Sequence, residues 1–278
     1  MDFLETIYPD SPRTRIKKLL QSGKVRVNGK SVTLNSFRLN PGDEVEIDRH
    51  SGKNKITDMP IQVLYEDNIV IAVDKPAGRP TSSVDGSLSV RDMVSEYLKQ
   101  ASKGKHRAHV VHRLDKEVSG VLLFAKNQEA METIRESWSK TRKFYWALAE
   151  GDPGKDEGTV RSWLKEDDRQ KVHSSGAVEG AKFAVTHFKV LKRIQGNSLL
   201  EIHTETGRKN QIRVHLAELG CPIVGDRKYG ASSEFERRIR LHAFSLSFPH
   251  PSDGRIITVT SPMPDGFLTL KPEDEKYK

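Results

Sequence analysis

The chain has 278 residues, enough for about two domains of roughly 150 residues. Lysine and arginine outnumber aspartate and glutamate by 46 to 38, a formal net charge of +8 that favours a polyanionic partner. A single cysteine, Cys221, excludes an intramolecular disulfide and is typical of a reducing cytoplasm. No apolar run approaches the roughly 20 residues of a membrane span, and the first ten residues lack the features of an export signal, so we expect no membrane association.

The first predicted unit is basic. Residues 11–40 contain eight lysines and arginines and no acidic residue. Ser11-Pro12 predicts the start of a short helix, and Asn28-Gly29 predicts the turn of a hairpin. A basic helix beside a basic hairpin is suited to contact phosphate oxygens without reading a base sequence. The alternative is a solvated basic face with no partner.

The string SPRTRIKKLLQSGKVRVNGK, followed by LNPGDEVEID, resembles the small RNA-binding domain named after ribosomal protein S-four. This resemblance implies a small α/β RNA-binding domain over residues 1–50, followed by a polar linker at 51–60. We assign the phosphate contacts of this domain to six basic residues: Arg13, Arg15, Lys17, Lys18, Lys24 and Arg26.

From residue 61 onwards the pattern mixes strands and helices. Residues 61–76 predict two strands around a turn, and the apolar residues of 89–100, Tyr97 among them, recur on one helical face. Residues 121–125 predict a buried strand, and Asn127 is typical of a residue that caps the helix after it.

The remaining pattern predicts further strands and one more helix. Alternation in residues 144–149 places Tyr145 on a strand face with Ala147 and Ala149, opposite Trp146. Three more strands and a helix are predicted later in the chain: strands at 199–203, 240–247 and 255–260, and a helix at 210–219.

The tetrapeptide HRLD at residues 112–115 places an arginine and a carboxylate in a turn before an apolar strand, which alone indicates a structural ion pair. The longer string VVHRLDKEVSGVLLFAKN resembles the central motif of the RluA-type pseudouridine synthases, enzymes that isomerise uridine in RNA. The resemblance implies that Asp115 is the catalytic residue. It also implies that Arg113 helps to hold RNA with the target nucleotide extruded.

Three further strings resemble motifs of the same family in the same order: VIAVDKPAG, KFYWALAEG and TGRKNQIRVHLAELGCPIVGDRKYG. They imply that Tyr145 is the family's tyrosine and that Arg213 pairs with the catalytic carboxylate. We also assign Arg208 to RNA binding. The chain departs from the family at Asn210, where histidine is common, and at Val118, where threonine is common. The resemblance implies an α+β catalytic domain over residues 61–270, built on a large mixed, mainly antiparallel sheet.

The reaction that this resemblance implies needs no cofactor. It breaks the glycosidic bond to nitrogen 1 of uracil, rotates the base and rejoins it through carbon 5, without redox change or net hydrolysis. An adjacent guanidinium, Arg213, would hold Asp115 ionised. Tyr145 offers a ring face to uracil and a hydroxyl that could assist proton removal from carbon 5. The nucleotide must be extruded, at a cost of a few kcal/mol.

Three other groups of residues give weaker indications of function. Histidines recur every third residue at His106, His109 and His112, but the last belongs to the HRLD turn, so we expect no metal site. Cys221 lies in an apolar stretch typical of a buried structural thiol. The three tryptophans are expected in the core rather than as base-stacking platforms: Trp138, Trp146 and Trp163.

The sequence thus predicts a monomeric cytoplasmic RNA pseudouridine synthase with RNA as its partner. Ribosomal RNA of the large subunit is preferred over transfer RNA, because appended N-terminal domains of this kind accompany large-subunit enzymes in the family. Two alternatives stay open. One is a non-catalytic RNA-binding or ribosome-assembly protein; the other is a hydrolase of nucleosides or phosphate esters, which would need a second carboxylate or a metal near Asp115.

Overall fold

A computed structural model of the chain describes residues 2–8, 11–21, 25–32, 37–47, 61–84, 86–232 and 238–269. Its internal contacts divide the chain into two compact units, residues 1–58 and 59–278. The predicted linker at 51–60 and the predicted RNA-binding Lys24 lie outside the described residues. Over the described part of the chain, no helix is long and apolar enough to cross a membrane.

The first unit packs two helices against a small antiparallel sheet of strand order β2-β1-β3. Ile16 and Leu20 of the second helix bury against Val25 and Val27 of the first strand, as their spacing predicts. The hairpin turn at Asn28, with φ of 50°, is also confirmed. The elements are α1 (Asp2–Ile7), α2 (Arg13–Gln21), β1 (Val25–Val27), β2 (Lys30–Ser31) and β3 (Val45–Ile47).

The second unit is built on one large sheet. Its strands are β4 (Gln62–Glu66), β5 (Val70–Lys75), β6 (His109–Val110), β7 (Ser119–Ala125), β8 (Arg142–Glu150), β9 (Glu157–Glu166), β10 (Val172–Ser175), β11 (Lys182–Ile194), β12 (Asn197–Thr204), β13 (Leu241–Pro249) and β14 (Ile256–Thr260). Its helices are α3 (Val90–Ala101), α4 (Gln128–Glu136) and α5 (Gln211–Glu218).

The strand order is β10-β9-β11-β12-β8-β13-β7-β5-β4, with β14 beside β13 and β6 beside β7. Among the described strands every pairing is antiparallel except that of β7 with β13. The predicted α+β class and the mixed, mainly antiparallel sheet are therefore confirmed.

Local sequence explains where two of the helices begin. The Ser89 side chain accepts a hydrogen bond from the Asp92 amide, and the Asp92 carboxylate accepts one from the Ser89 amide, a capping box at the start of α3. Asn127 caps α4 as predicted. Tyr97, expected on the apolar face of α3, is instead exposed, because its hydroxyl donates to Glu66 at the surface over 2.8 Å.

The sequence analysis assigned no element between residues 152 and 197, where β9, β10 and β11 complete one end of the sheet. Side chains of β9 alternate between exposed and half-buried positions, so the strand has little of the apolar periodicity that marks a buried one. These strands matter for the site, because α5 packs against all three.

Gly120 is the closest approach between β7 and β13. Its φ of 117° is one that other residues rarely adopt, and a Cβ there would lie 2.2 Å from the backbone oxygen of Ala243. We expect Gly120→Ala to lower the free energy of unfolding by about 2–5 kcal/mol, because the clash adds to backbone strain. Urea denaturation measures this. Gly176→Ala, whose methyl would meet nothing within 4 Å, is the control, and equal stability of the two variants would contradict the analysis.

Candidate active site

Asp115 lies in the loop between β6 and β7, and a buried lysine holds this loop. The Lys75 ammonium, at the end of β5, donates to the carbonyl oxygens of Lys116 at 3.1 Å and Val118 at 2.6 Å. Burial lowers the pKa of Lys75 to about 8. Its contacts fix the backbone on the C-terminal side of Asp115, a role that the sequence analysis missed although Lys75 lies within a recognised motif.

The N-terminal side of the same loop is fixed by side chains that bond to backbone. The Thr81 hydroxyl donates to the Leu114 carbonyl at 2.9 Å and accepts from the Leu114 amide at 3.2 Å. The His112 Nε2 accepts from the Leu123 amide at 3.0 Å, and its ring stacks on Trp138. Because burial lowers the pKa of His112 to about 3, the ring stays neutral and serves as an anchor.

The sequence analysis also considered a metal site and Cys221. Within the described ranges, no group of three or more His, Cys, Asp or Glu residues is arranged to hold a metal ion. Cys221 is fully buried, and burial raises the pKa of its thiol to about 11, so the thiol is protonated at neutral pH.

Arg213, on α5, is held by a carboxylate that the sequence analysis did not single out. Its Nε and Nη2 donate to the two Asp226 oxygens at 2.6 and 2.8 Å. Its Nη1 donates to Asn210 Oδ1 at 3.1 Å and lies 3.6 Å from Asp115 Oδ2. The structure thus brings Arg213 and Asp115 together as expected, but the strong bidentate pair is with Asp226.

Tyr229 completes the grip on Arg213. The guanidinium carbon lies 5.0 Å from the centre of the Tyr229 ring, and the Tyr229 hydroxyl accepts from Asn210 Nδ2 at 3.0 Å. Asn210 therefore bridges Tyr229 and Arg213, from a backbone with φ of 54° that asparagine tolerates well. Asn210 stands where histidine is common in the family, and its side chain makes polar contacts with both Tyr229 and Arg213. Asp226 and Tyr229 lie in the third motif string, which is the signal that could have found them.

The groups around Asp115 shift its pKa in opposite directions. Burial raises the pKa of Asp115 above its usual range, Arg213 lowers it and Glu117 raises it, with burial the largest effect. Arg213 stabilises the charged form of Asp115, as the sequence analysis expected, but burial has the larger effect on its pKa. The shortest contacts of Arg213 are with Asp226.

Tyr145 lies on β8 and packs with Ala147 and Ala149 against the same apolar cluster, as the alternation predicts. Burial, and secondarily the charge of Asp115, raise the pKa of Tyr145 well above its ordinary value. The hydroxyl is protonated at neutral pH, so the structure does not support a preformed phenolate that removes the carbon 5 proton. Tyr145 therefore offers its ring face and a neutral hydroxyl to a base in the pocket.

One pocket collects the predicted residues of the second unit. Arg208, in the loop between β12 and α5, is fixed by bonds from its Nε to the Phe183 carbonyl and from its amide to Gln211 Oε1, both 3.0 Å. The side chains around the pocket come from the β6–β7 loop, β8, the β12–α5 loop and α5: Arg113, Asp115, Tyr145, Arg208, Gln211 and Arg213.

The basic residues predicted in the first unit belong to a different stretch of the sequence from the residues that line the pocket. Arg13 pairs with Glu5 at 2.9 Å and is still largely exposed, and Lys17 and Arg26 are exposed. Arg15 and Lys18 lie on α2, but the structure does not describe their side chains.

The prediction that all three tryptophans lie in the core was wrong for Trp163. It is 37% exposed on β9 and contacts Phe183, which is 40% exposed, with ring centres 5.4 Å apart. Trp138 and Trp146 pack against buried clusters as expected.

Comparison with known proteins agrees with this geometry. The family model for RNA pseudouridylate synthase matches residues 69–218, and the S4 domain model matches residues 1–45. An RNA pseudouridine synthase of Synechocystis is 34% identical over 94% of this chain and 84% of its own length. YlyB, an RNA pseudouridine synthase of Bacillus subtilis, is 33% identical over 96% of this chain and 91% of its own. This chain belongs to the RNA pseudouridine synthase family.

A solved structure agrees with the assignment. The human RNA pseudouridylate synthase domain containing 4 superposes with a TM-score of 0.63 at 26% identity, over 74% of this chain and 90% of that one. The synthase is thus an isomerase that acts on RNA. Membership favours this function over the hydrolase and over the non-catalytic RNA-binding protein.

The grip of Asp226 on Arg213 generates a prediction about pH. With Asp115 as the reacting carboxylate, we expect Asp226→Asn to lower kcat by about 10- to 100-fold, because Arg213 loses the two charged hydrogen bonds that hold its orientation. Arg213 would still lie beside Asp115 and its charge would no longer be offset by Asp226, which lowers the pKa of Asp115. The acid limb of the pH–rate profile should therefore move to lower pH.

The control is Asp152→Asn, which removes a carboxylate bonded to the exposed Arg193 at 2.6 Å. It should change neither kcat nor the profile. A loss of stability in Asp226→Asn with an unmoved acid limb would show that Asp226 supports the fold without acting on the charge of Asp115.

Proposed function

We propose that this synthase converts uridine to pseudouridine in large-subunit ribosomal RNA, as a monomer in the cytoplasm. The observation that carries the catalytic assignment is the single pocket in which Asp115, Tyr145 and Arg213 meet. The RNA assignment draws on two relatives named ribosomal large subunit pseudouridine synthase D, from Neisseria meningitidis and Haemophilus ducreyi. Each is 30% identical, over 96% and 99% of this chain.

The chemistry exchanges one bond to the sugar for another. The bond between the sugar and nitrogen 1 breaks, a bond between the sugar and carbon 5 forms, and a proton leaves carbon 5 while nitrogen 1 gains one. Neither an oxidant nor water is consumed. We assign to Asp115 the step that starts this exchange, whether by attack on the sugar or the base or by removal of a sugar proton.

Arg213 orients Asp115 without neutralising it. The 3.6 Å contact involves Oδ2 of Asp115, so the other carboxylate oxygen is available to the substrate. Asp226 and Asn210 accept hydrogen bonds from Nε, Nη2 and Nη1 of Arg213, and these bonds hold the guanidinium in place. This division of contacts suits a carboxylate that must be held in place and yet react.

The other pocket residues bind the RNA. The Tyr145 ring stacks on uracil, and its protonated hydroxyl bonds to the base as a neutral group. Arg113 and Arg208 hold the extruded nucleotide, at an extrusion cost of a few kcal/mol. We assign the catalytic domain to residues 61–270 and phosphate binding to the domain at 1–50, through its basic residues: Arg13, Arg15, Lys17, Lys18, Lys24 and Arg26.

Pseudouridine mapping tests the function. A strain that lacks the gene should lose specific carbodiimide-reactive pseudouridines from its large-subunit ribosomal RNA. Wild-type protein should restore them, and Asp115→Asn should not, although it accumulates to the same level. Loss confined to transfer RNA would contradict the ribosomal substrate. Restoration by Asp115→Asn would contradict the catalytic assignment, and Asp152→Asn, which should restore the sites, controls for the loss of a charge.

Substitutions of Tyr145 separate its ring from its hydroxyl. Tyr145→Phe keeps the ring, so we expect RNA affinity close to wild type. It loses the hydroxyl, so we expect kcat to fall by about tenfold or more. Tyr145→Ala should lose affinity as well, because base stacking is worth about 1–3 kcal/mol. Filter binding and single-turnover rates measure the two effects. Full turnover by Tyr145→Phe would limit the residue to stacking.

A further inference from the structure

Two large aromatic side chains lie exposed beside each other near one end of the large sheet. Trp163 of β9 and Phe183 of β11 are directly opposite in the antiparallel pairing of these strands. Both rings are more than one third exposed, and their centres lie 5.4 Å apart. We call these two residues the aromatic pair. Apolar side chains that are exposed together mark a contact surface more often than single ones do.

The core of the second unit accounts for only one face of these two strands. Leu164 and Ala184 directly follow the aromatic pair in the sequence, and both are buried in one apolar cluster with Val214 of α5. Successive side chains of a strand point to opposite faces of the sheet, so the aromatic pair lies on the face away from α5. Burial of the core therefore does not explain why two aromatic rings stand at these positions.

Basic side chains flank the aromatic pair. Arg161 and Lys165 lie two residues before and two residues after Trp163, so all three side chains leave the same face of β9, about 7 Å apart. Within the described ranges neither cation forms an ion pair or a side-chain hydrogen bond. Glu166 leaves the other face of β9 and pairs with Lys209. The exposed face thus presents a cation, a ring and a second cation in succession, which suits a negatively charged partner.

Arg208 connects the aromatic pair to the pocket. β12 ends at Thr204, and the loop after it continues beside β11, where the Thr206 hydroxyl accepts a hydrogen bond from the Val185 amide at 3.0 Å. Arg208 of this loop lines the pocket, and its Nε donates to the Phe183 carbonyl oxygen at 3.0 Å. The backbone of Phe183 therefore holds a pocket residue, while its ring belongs to the aromatic pair. A strand of RNA that leaves the pocket past Arg208 reaches the aromatic pair next.

We propose that the aromatic pair stacks an unpaired base of the substrate RNA close to the target uridine, while Arg161 and Lys165 contact phosphates of the same strand. Aromatic rings beside cations bind single-stranded nucleic acid without a sequence requirement, because every base has a π face and every nucleotide a phosphate. A base held here is withdrawn from the RNA stack, which offsets part of the cost of extruding the target. The inference rests on the proposed use of the pocket for uridine.

Binding of a fluorescent oligouridylate of about twelve nucleotides to the full-length protein gives the first test. Trp163→Ala should weaken binding by about 5- to 100-fold, the range for the loss of one stacked base. Trp163→Phe keeps a ring and should retain most of the affinity. Tyr97→Ala, which removes an exposed ring from α3, is the control and should bind like the wild type. Wild-type affinity in Trp163→Ala would overturn the proposal.

Thermal unfolding separates RNA binding from a structural role. A cross-strand aromatic pair also stabilises its two strands, so both Trp163→Ala and Phe183→Ala are melted before they are titrated. The proposal expects that Phe183→Ala also weakens oligouridylate binding and that both variants unfold cooperatively. A lowered Tm together with unchanged affinity in both variants would show that the aromatic pair serves only the sheet, and would overturn the proposal.

The salt dependence of the same binding tests the two cations. Each phosphate that a cation neutralises on a single strand contributes about 0.7 to the slope of log affinity against log salt. Arg161→Gln and Lys165→Gln should each reduce the slope by about this amount, whereas Trp163→Ala should weaken binding without changing it. Lys99→Gln, which removes an exposed lysine from α3, is the control. Unchanged slopes in both Arg161→Gln and Lys165→Gln would overturn the phosphate contacts.

Two further measurements separate this proposal from the proposed function and from another occupant. Tyr145→Ala acts on the pocket alone: if it binds oligouridylate like the wild type while Trp163→Ala does not, the use of the pocket for uridine is contradicted and the aromatic pair is supported. The reverse result contradicts the aromatic pair alone. Sedimentation tests for a second copy of this chain on the surface, and a dimer that Trp163→Ala dissociates would overturn the proposal.

Discussion

The buried ion pair between Arg213 and Asp226 is the interaction on which the geometry of the site depends. Arg213 is 7% exposed and Asp226 1% exposed at the side chain, so neither charge is solvated well enough to stand alone. Their two parallel hydrogen bonds fix the guanidinium plane, Asn210 accepts a bond from Nη1, and the Tyr229 ring lies against the guanidinium face. The same Nη1 lies 3.6 Å from Asp115. The position of Arg213 beside Asp115 is thus set by a carboxylate that is itself 1% exposed.

The sheet supplies the second constraint. β7 runs parallel to β13 for only two paired residues, and the loop that carries Asp115 enters β7 at that junction. Such a loop would be free to move if it were bound only at its ends. Lys75 and Thr81 instead bond to its backbone on both sides of Asp115. A carboxylate in a rigid and partly desolvated loop has a raised pKa and little freedom, which are conditions that suit a reacting group.

Charge is distributed in two ways across the chain. In the first unit Arg13, Lys17 and Arg26 are exposed, and this arrangement suits contacts that depend on salt and not on base identity. In the second unit some charges are buried and satisfied within the protein, as Lys75 and Lys126 illustrate. Exposed basic residues suit affinity for RNA, and buried charges fix the positions of backbone and side chains around the site.

The sequence by itself determined the family and the sheet-rich class, and it predicted two units and the candidate site residues Asp115, Tyr145 and Arg213, because motif strings and apolar periodicity are local properties of the chain. The tertiary structure decided which groups these residues meet. Asp226 lies 13 residues from Arg213, and no periodicity links them. The pKa directions of Asp115 and Tyr145 follow from burial, which depends on strands distant in sequence. The exposure of Trp163 was likewise beyond the pattern, since a strand's two faces differ only through what the rest of the fold places against them.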